Sequence, residues 1–190
     1  MTGVRLGYFV GSLAKNSINR KLARALVRLA PAEFSPAEIR FAELPHYSWD
    51  YDADYPPLAR AFKQSIAAVD AVLFVTPEYN RSIPGALKNA IDWASRPWGQ
   101  NSFARKPCAI IGTSPGKIGT AVAQSHLRSI LAFCNAPLMN SVEAYIQSEP
   151  GLIGDDGEVT VESTETFLRE FMSEFLGFVE RVYTVLPRPA

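Results

Sequence analysis

Short apolar runs alternate with helical spacings along most of the chain. Val4 to Val10 is the first run that reads as a strand. A second is expected at Glu38 to Leu44, where the alternation is diluted by polar residues. The third, Ala71 to Thr76, is apolar at nearly every position, the pattern of a strand covered on both faces. The fourth is Cys108 to Thr113, and the fifth, the least regular, falls within Leu138 to Ile146. Between them Ile18, Leu22, Ala25, Leu26 and Leu29 recur at helical spacing, as do Leu58, Phe62, Ile66 and Val69. A third helix is expected from Pro84, stacking Leu87, Ala90, Ile91 and Ala94. A fourth aligns Ala123, Leu127, Ile130, Leu131 and Cys134. The last, about Ser163 to Tyr183, carries Phe167, Phe171, Phe175, Phe178 and Val182 on a broad apolar face suited to packing on a sheet.

Strands alternating with helices imply βαβ units and a parallel sheet. Five of each predict a flavodoxin-like α/β fold: a doubly wound, five-stranded parallel sheet with helices on both faces, in one domain over residues 1–190. Such sheets bind ligands beyond the carboxyl ends of their strands, where the strand order reverses. The loops expected to carry function are therefore Gly11 to Asn19, Pro77 to Pro84 and Ser114 to Gly119.

Composition narrows the function classes. The chain has 190 residues with 19 basic and 19 acidic side chains, so its net charge is zero. This is not the footprint of a nucleic-acid binder, and it lowers one barrier to self-association. No start resembles a secretion signal, and no apolar run approaches the roughly 20 residues a bilayer demands, so the expected location is the cytoplasm, away from membranes. The two cysteines, Cys108 and Cys134, sit in apolar runs and read as buried structural thiols. The tail, Pro187 to Ala190, is expected to fray.

The loop after the first strand offers the hydroxyls of Ser12 and Ser17, the amides of Asn16 and Asn19, the charge of Lys15 and the backbone N–H groups of a helix start. Such a set suits a phosphate. It serves equally well to cap a helix through Ser17 or Ser12. No G-x-G-x-x-G follows the strand, and Gly112 to Ile118 is one residue short of a Walker loop and lacks its Ser or Thr after Lys117. The loop after the third strand is stiffened by Pro77 and Pro84. It offers Tyr79 as a flat face and Asn80 as donor and acceptor for the edge of a heteroaromatic ring. The same loop could do no more than cap a helix through Ser82.

Thr76 to Pro97 contains TPEYN-R-S-I-PG-A-LKNAIDW-A-SRP, which closely resembles the signature of the NAD(P)H-dependent FMN reductase family, including bacterial quinone and chromate reductases. Gly11 to Asn19 resembles that family's phosphate loop, and the likeness extends through His126-Leu127-Arg128. The resemblance implies that Ser12, Ser17 and Asn19, with the backbone at Ile18, hold the phosphate of FMN. It also implies that Pro77, Glu78, Tyr79 and Asn80 line the ring and ribityl chain, and that Ser114 and Gly116 form the third flavin loop. Two departures stand out. Ala14 takes the place of the family's loop arginine, with Lys15 one place along, and Arg81 stands where an aromatic or other polar residue is common. The resemblance further implies NADPH or NADH as donor and a quinone, flavin, azo compound or metal oxyanion as small-molecule acceptor, served in turn at one face. A homodimer or homotetramer is implied too, with Arg128 and Glu143 at subunit contacts. This chemistry requires neither a protein nucleophile nor a metal, and His46 and His126 read as ordinary residues. The alternative is an electron carrier without nicotinamide turnover, although the balanced charge lacks the acidic surface such carriers use for steering.

Overall fold

The computed structural model describes residues 3–187. Arg188 to Ala190, in the tail expected to fray, lie outside the described residues. The chain forms β1 (Val4–Val10), α1 (Ile18–Leu29), β2 (Phe34–Glu38), α2 (Pro57–Ala67), β3 (Ala71–Val75), α3 (Gly85–Ser95), β4 (Cys108–Ser114), α4 (Ala121–Phe133), β5 (Tyr145–Gln147) and α5 (Glu162–Val185), with a 3₁₀ turn at Trp49–Tyr51. All strand pairs are parallel, in the order β2-β1-β3-β4-β5. This is the flavodoxin-like winding, and its order reverses between β1 and β3.

Alternation along the central strands divides the core in two. Phe9, Val72, Phe74, Cys108 and Ile110 face α2, α3 and α4, where they meet Phe62, Leu87, Ile91, Phe103 and Leu127. Phe9 and Phe74 stack with ring centroids 5.0 Å apart. Val4, Leu6, Val10, Leu73, Val75 and Ile111 face the other way, onto Leu22 and Leu26 of α1 and Leu168, Phe171, Met172, Phe175 and Val179 of α5. Both cysteines are buried, free thiols, and burial pushes their pKa values up. Neither is suited to act as a nucleophile.

Several boundaries differ from expectation. The second strand is Phe34–Glu38 rather than Glu38 to Leu44. Pro36 argues against a central strand, but β2 is an edge strand and tolerates it. Ile39 makes one more bond, its N–H to Tyr8 O, and the chain then leaves the sheet. The alternation of Ile39 and Phe41 reflects burial against the α2 side rather than pairing. The fifth strand is interrupted. Leu138 bridges Cys108, and pairing resumes only at Tyr145–Gln147. In the gap, Arg128 Nη1 donates to Met139 O and to Asn140 Oδ1, holding the chain in a turn. Pro84 stands just before α3 rather than inside it. Leu58, assigned to the inner face of α2, is exposed and rims a cavity instead.

Candidate functional site

The three loops named from the sequence leave β1, β3 and β4 at the same edge of the sheet, and hydrogen bonds tie them together. Asn19, in the first turn of α1, is buried. Its Nδ2 donates to Thr113 O at 2.9 Å, and its Oδ1 accepts from Thr113 N at 3.0 Å. Both ends of one amide thus join the start of α1 to the end of β4, bringing Ser17 and Ser114 within two residues of a shared contact. The first loop also meets the second, since Ser12 Oγ and Tyr79 Oη lie 3.4 Å apart.

Ser17 caps α1 by accepting from Arg20 N at 3.3 Å. Ser12 Oγ accepts from Ala14 N at 3.3 Å. The capping reading is therefore correct for Ser17, whereas the Ser12 hydroxyl only turns the loop. Capping leaves other donors over. Among the described residues, the N–H groups of Lys15, Asn16, Ile18 and Asn19 donate to no protein group. They cluster at the positive end of α1, where N–H groups and helix dipole together favour an anion. No acidic residue occupies the first turn to compete. Lys15 is exposed beside them. Replacing Ser17 by Ala is expected to cost about 1 kcal/mol of stability, and Ser17→Gly only a few tenths. Urea unfolding measures both, and no loss in either would show that the hydroxyl caps nothing.

The second loop folds into a two-residue hairpin. Tyr79 N donates to Ser82 O at 2.9 Å and Ser82 N to Tyr79 O at 3.0 Å. The residues between them, Asn80 and Arg81, have φ of 51° and 63°. Two consecutive left-handed residues make the tight turn that suits asparagine first and glycine second, and arginine is a strained choice. The hairpin is pinned from outside. Glu78 Oε2 accepts from Val122 N at 3.0 Å and Ala123 N at 3.1 Å, closing the positive end of α4. Ser82 Oγ lies 3.0 Å from His126 Nδ1 on the same helix. Ser82 thus braces the hairpin against α4 rather than capping α3, whose start has no side-chain cap. Tyr79 remains 47% exposed.

The third loop is held by Ser114, whose Oγ donates to Gly119 O at 2.6 Å and accepts from Gly116 N at 3.2 Å. Beneath it, Gly112 permits β4 to approach Thr76 and Thr120 closely.

Of the residues named from the sequence, Ser12, Ser17, Ile18, Asn19, Pro77, Tyr79, Asn80, Ser114 and Gly116 all lie on these joined loops. The side chain of Asn19 is engaged in joining the first loop to the end of β4, and that of Glu78 in pinning the second loop to the start of α4. Arg128 and Glu143 are engaged within the chain, Glu143 accepting from Tyr145 Oη at 2.7 Å. The sequence reading missed an open cavity of about 770 Å³ on the far side of the β1 loop, bordered by Leu13, Arg20, Glu38, Phe41 and Leu58. Its signal was present in the misassigned run after Glu38.

The arrangement resembles known proteins closely. The model of the NADPH-dependent FMN reductase family matches residues 4–151. A 2-hydroxy-1,4-benzoquinone reductase from a Burkholderia species is 52% identical over 176 residues, covering 93% of this chain and 96% of the relative. A quinone reductase from Pseudomonas putida is 45% identical over 172 residues, covering 90% of this chain and 92% of the relative. Among solved structures, the flavoenzyme NAD(P)H:(acceptor) oxidoreductase FerB from Paracoccus denitrificans superimposes with a TM-score of 0.89 at 46% identity, covering 94% of this chain and 98% of that one. Family match, fold and joined loops agree, and the chain belongs to the NADPH-dependent FMN reductase family.

Proposed function

We propose that the chain binds FMN at the carboxyl edge of its sheet and passes electrons from NADPH or NADH to a small-molecule acceptor by a ping-pong cycle. The observation that carries this reading is the cluster of unpartnered N–H groups at the positive end of α1, beside two buried serines. Ser12, Lys15, Ser17 and the backbone of Ile18 and Asn19 would hold the phosphate, with Lys15 supplying the full charge that Ala14 does not. Pro77, Glu78, Tyr79 and Asn80 would line the ring and ribityl chain, Glu78 through its backbone. Ser114 and Gly116 would close the third side. When bound there, FMN would supply two-electron redox chemistry between a nicotinamide and an acceptor.

The protein's part is to hold loops rigid and aim donors. Asn19 and Glu78 fix the three loops to one another before any ligand arrives, so little ordering accompanies binding. Tyr79, half exposed, offers a flat surface to an incoming ring. A hydroxylated benzoquinone is the acceptor we favour, supported by the 52%-identical relative named for reducing one. Two free thiols, buried and unpaired, accord with a cytoplasmic location. No helix among the described residues is long and apolar enough to cross a membrane. We further propose a homodimer or homotetramer, in keeping with the neutral net charge.

The test is an anaerobic titration of the FMN-loaded protein with each nicotinamide, followed by addition of a quinone. The flavin absorption bands are expected to bleach with at least one nicotinamide and to return with the quinone. Flavin that stays oxidised with both nicotinamides would favour an electron carrier, and a protein that takes up no FMN would end the reading.

A further inference from the structure

The hairpin after β3 carries a residue that the flavin reading leaves unexplained. Arg81 occupies the second of two left-handed positions, φ 63°, where glycine is the unstrained choice. Backbone strain of this kind persists only where the surroundings hold it, and it concentrates at ligand sites. Here the surroundings do hold it. Glu78, Ser82 and Tyr79 are each bonded to another element, so the turn cannot relax.

Strain alone does not identify a ligand, but the side chain adds an independent observation. The Arg81 side chain is 70% exposed, and among the described residues its one ion pair is a single contact of 3.3 Å from Nη1 to Glu78 Oε1. That partner is already occupied. Glu78 is only 9% exposed, and its other oxygen accepts two N–H groups from the positive end of α4. Its charge is balanced by the helix, and it holds Arg81 weakly. The remaining donors of a planar fork therefore point at no other group among the described residues. Two residues away stands the half-exposed ring of Tyr79. The turn is also bonded to an ionisable side chain, His126, through Ser82. Among the described residues, no second carboxylate is bonded to the hairpin.

We propose that Arg81 selects anionic aromatic acceptors, such as ionised hydroxyquinones, by pairing its fork with their enolate oxygens while Tyr79 supports the ring. The inference rests on the reading of this edge as the flavin site and deepens it by naming the charge of the acceptor. Two planar oxygens on one ring match a guanidinium fork better than a point charge.

The test compares an anionic and a neutral acceptor on the same FMN-loaded enzyme: 2-hydroxy-1,4-naphthoquinone, ionised at neutral pH, and 1,4-naphthoquinone. Each is scored as the ratio of variant to wild-type kcat/KM, so their different redox potentials cancel. Arg81→Gln is expected to lower kcat/KM for the anion about tenfold, mostly through KM, and to change the neutral quinone less than twofold, tenfold being the loss of one charge-assisted contact. Arg81→Lys should fall between. Raising the salt from about 0.05 to 0.5 M should erode the wild-type preference and leave Arg81→Gln unaffected. Arg81→Gly separates selection from folding. It relieves the left-handed strain, so its Tm should hold or rise by up to about 3 °C while its anion activity falls as in Arg81→Gln. Equal losses on both acceptors, or none on either, with wild-type turnover intact, would overturn the role of Arg81 alone. A wild-type protein that reduces neither acceptor would overturn the flavin-site reading and this inference with it.

Discussion

Gly112→Ala is expected to destabilise the protein by about 3 kcal/mol, at the upper end of the usual overpacking cost. A Cβ at this position would stand 2.1 Å from Thr76 O and 2.3 Å from Thr120 Oγ1. The first of these is backbone and cannot swing away. The second belongs to a buried threonine whose hydroxyl accepts from Gln124 Nε2 at 2.9 Å, so it too is fixed. Relief requires β4 to move away from the exit of β3. That exit leads directly into Pro77 and the hairpin, and Thr120 leads into the end of α4 that Glu78 closes. The substitution should therefore reach the site as well as the core. FMN affinity is expected to fall at least tenfold, about 1.4 kcal/mol. For a chain of this length the stability loss corresponds to a drop of about 6–12 °C in Tm. Gly85→Ala is the control. A Cβ there meets nothing within 4 Å, and as the first residue of α3 it should hold or gain stability. Thermal unfolding of both variants decides the matter, and a Gly112→Ala protein melting within about 2 °C of the wild type would show that the strands can part cheaply.

The pattern that predicts the fold is the burial pattern of the central strands. Ala71–Val75 is apolar and buried at every position, and Val4–Val10 and Cys108–Ser114 at most of theirs, because helices cover both faces, and that leaves a signal no surface strand has. The edges of the sheet are harder to read. Phe34–Glu38 contains a proline and a serine, which an edge tolerates, whereas Ile39 and Phe41 alternate like a strand while packing in a loop. Tyr145–Gln147 has only three residues and one paired neighbour, too short for periodicity to register. The loops of the site were legible because strand order places them beyond the carboxyl ends of β1, β3 and β4, not because of their serines and asparagines, which cap helices as readily as they bind anions. The joints between the loops were not. Asn19 and Thr113 are 94 positions apart in sequence, and Glu78 and Val122 are 44 apart. No local pattern indicates that an asparagine named as a phosphate ligand has both ends of its amide turned to a distant strand, or that a glutamate in a flavin loop closes a helix. Such contacts follow from the packed sheet, not from the segments that make them.

The Asn19 joint should be the most sensitive point of the site. Asn19→Leu keeps roughly the volume and removes both bonds, leaving Thr113 N and Thr113 O unpartnered in a position 2% exposed. Each orphaned backbone group costs about 1–3 kcal/mol, so a combined loss of about 3 kcal/mol is expected. Asn19→Asp tests the direction of the bonds rather than their presence. It can still accept from Thr113 N, but it faces Thr113 O with a second acceptor where a donor stood. At neutral pH that carboxylate should be as damaging as leucine. Protonation would restore a donor, so its deficit should shrink as the pH is lowered toward about 5, the opposite of ordinary acid destabilisation. Asn19→Leu should show no such recovery. Both variants should also bind FMN at least tenfold more weakly, because the N–H cluster of α1 is no longer held beside Ser114. Urea unfolding at two pH values, with FMN titration followed by flavin fluorescence, measures all of this. If Asn19→Leu lost stability but bound FMN as tightly as wild type, the joint would be a support for the sheet and not for the site.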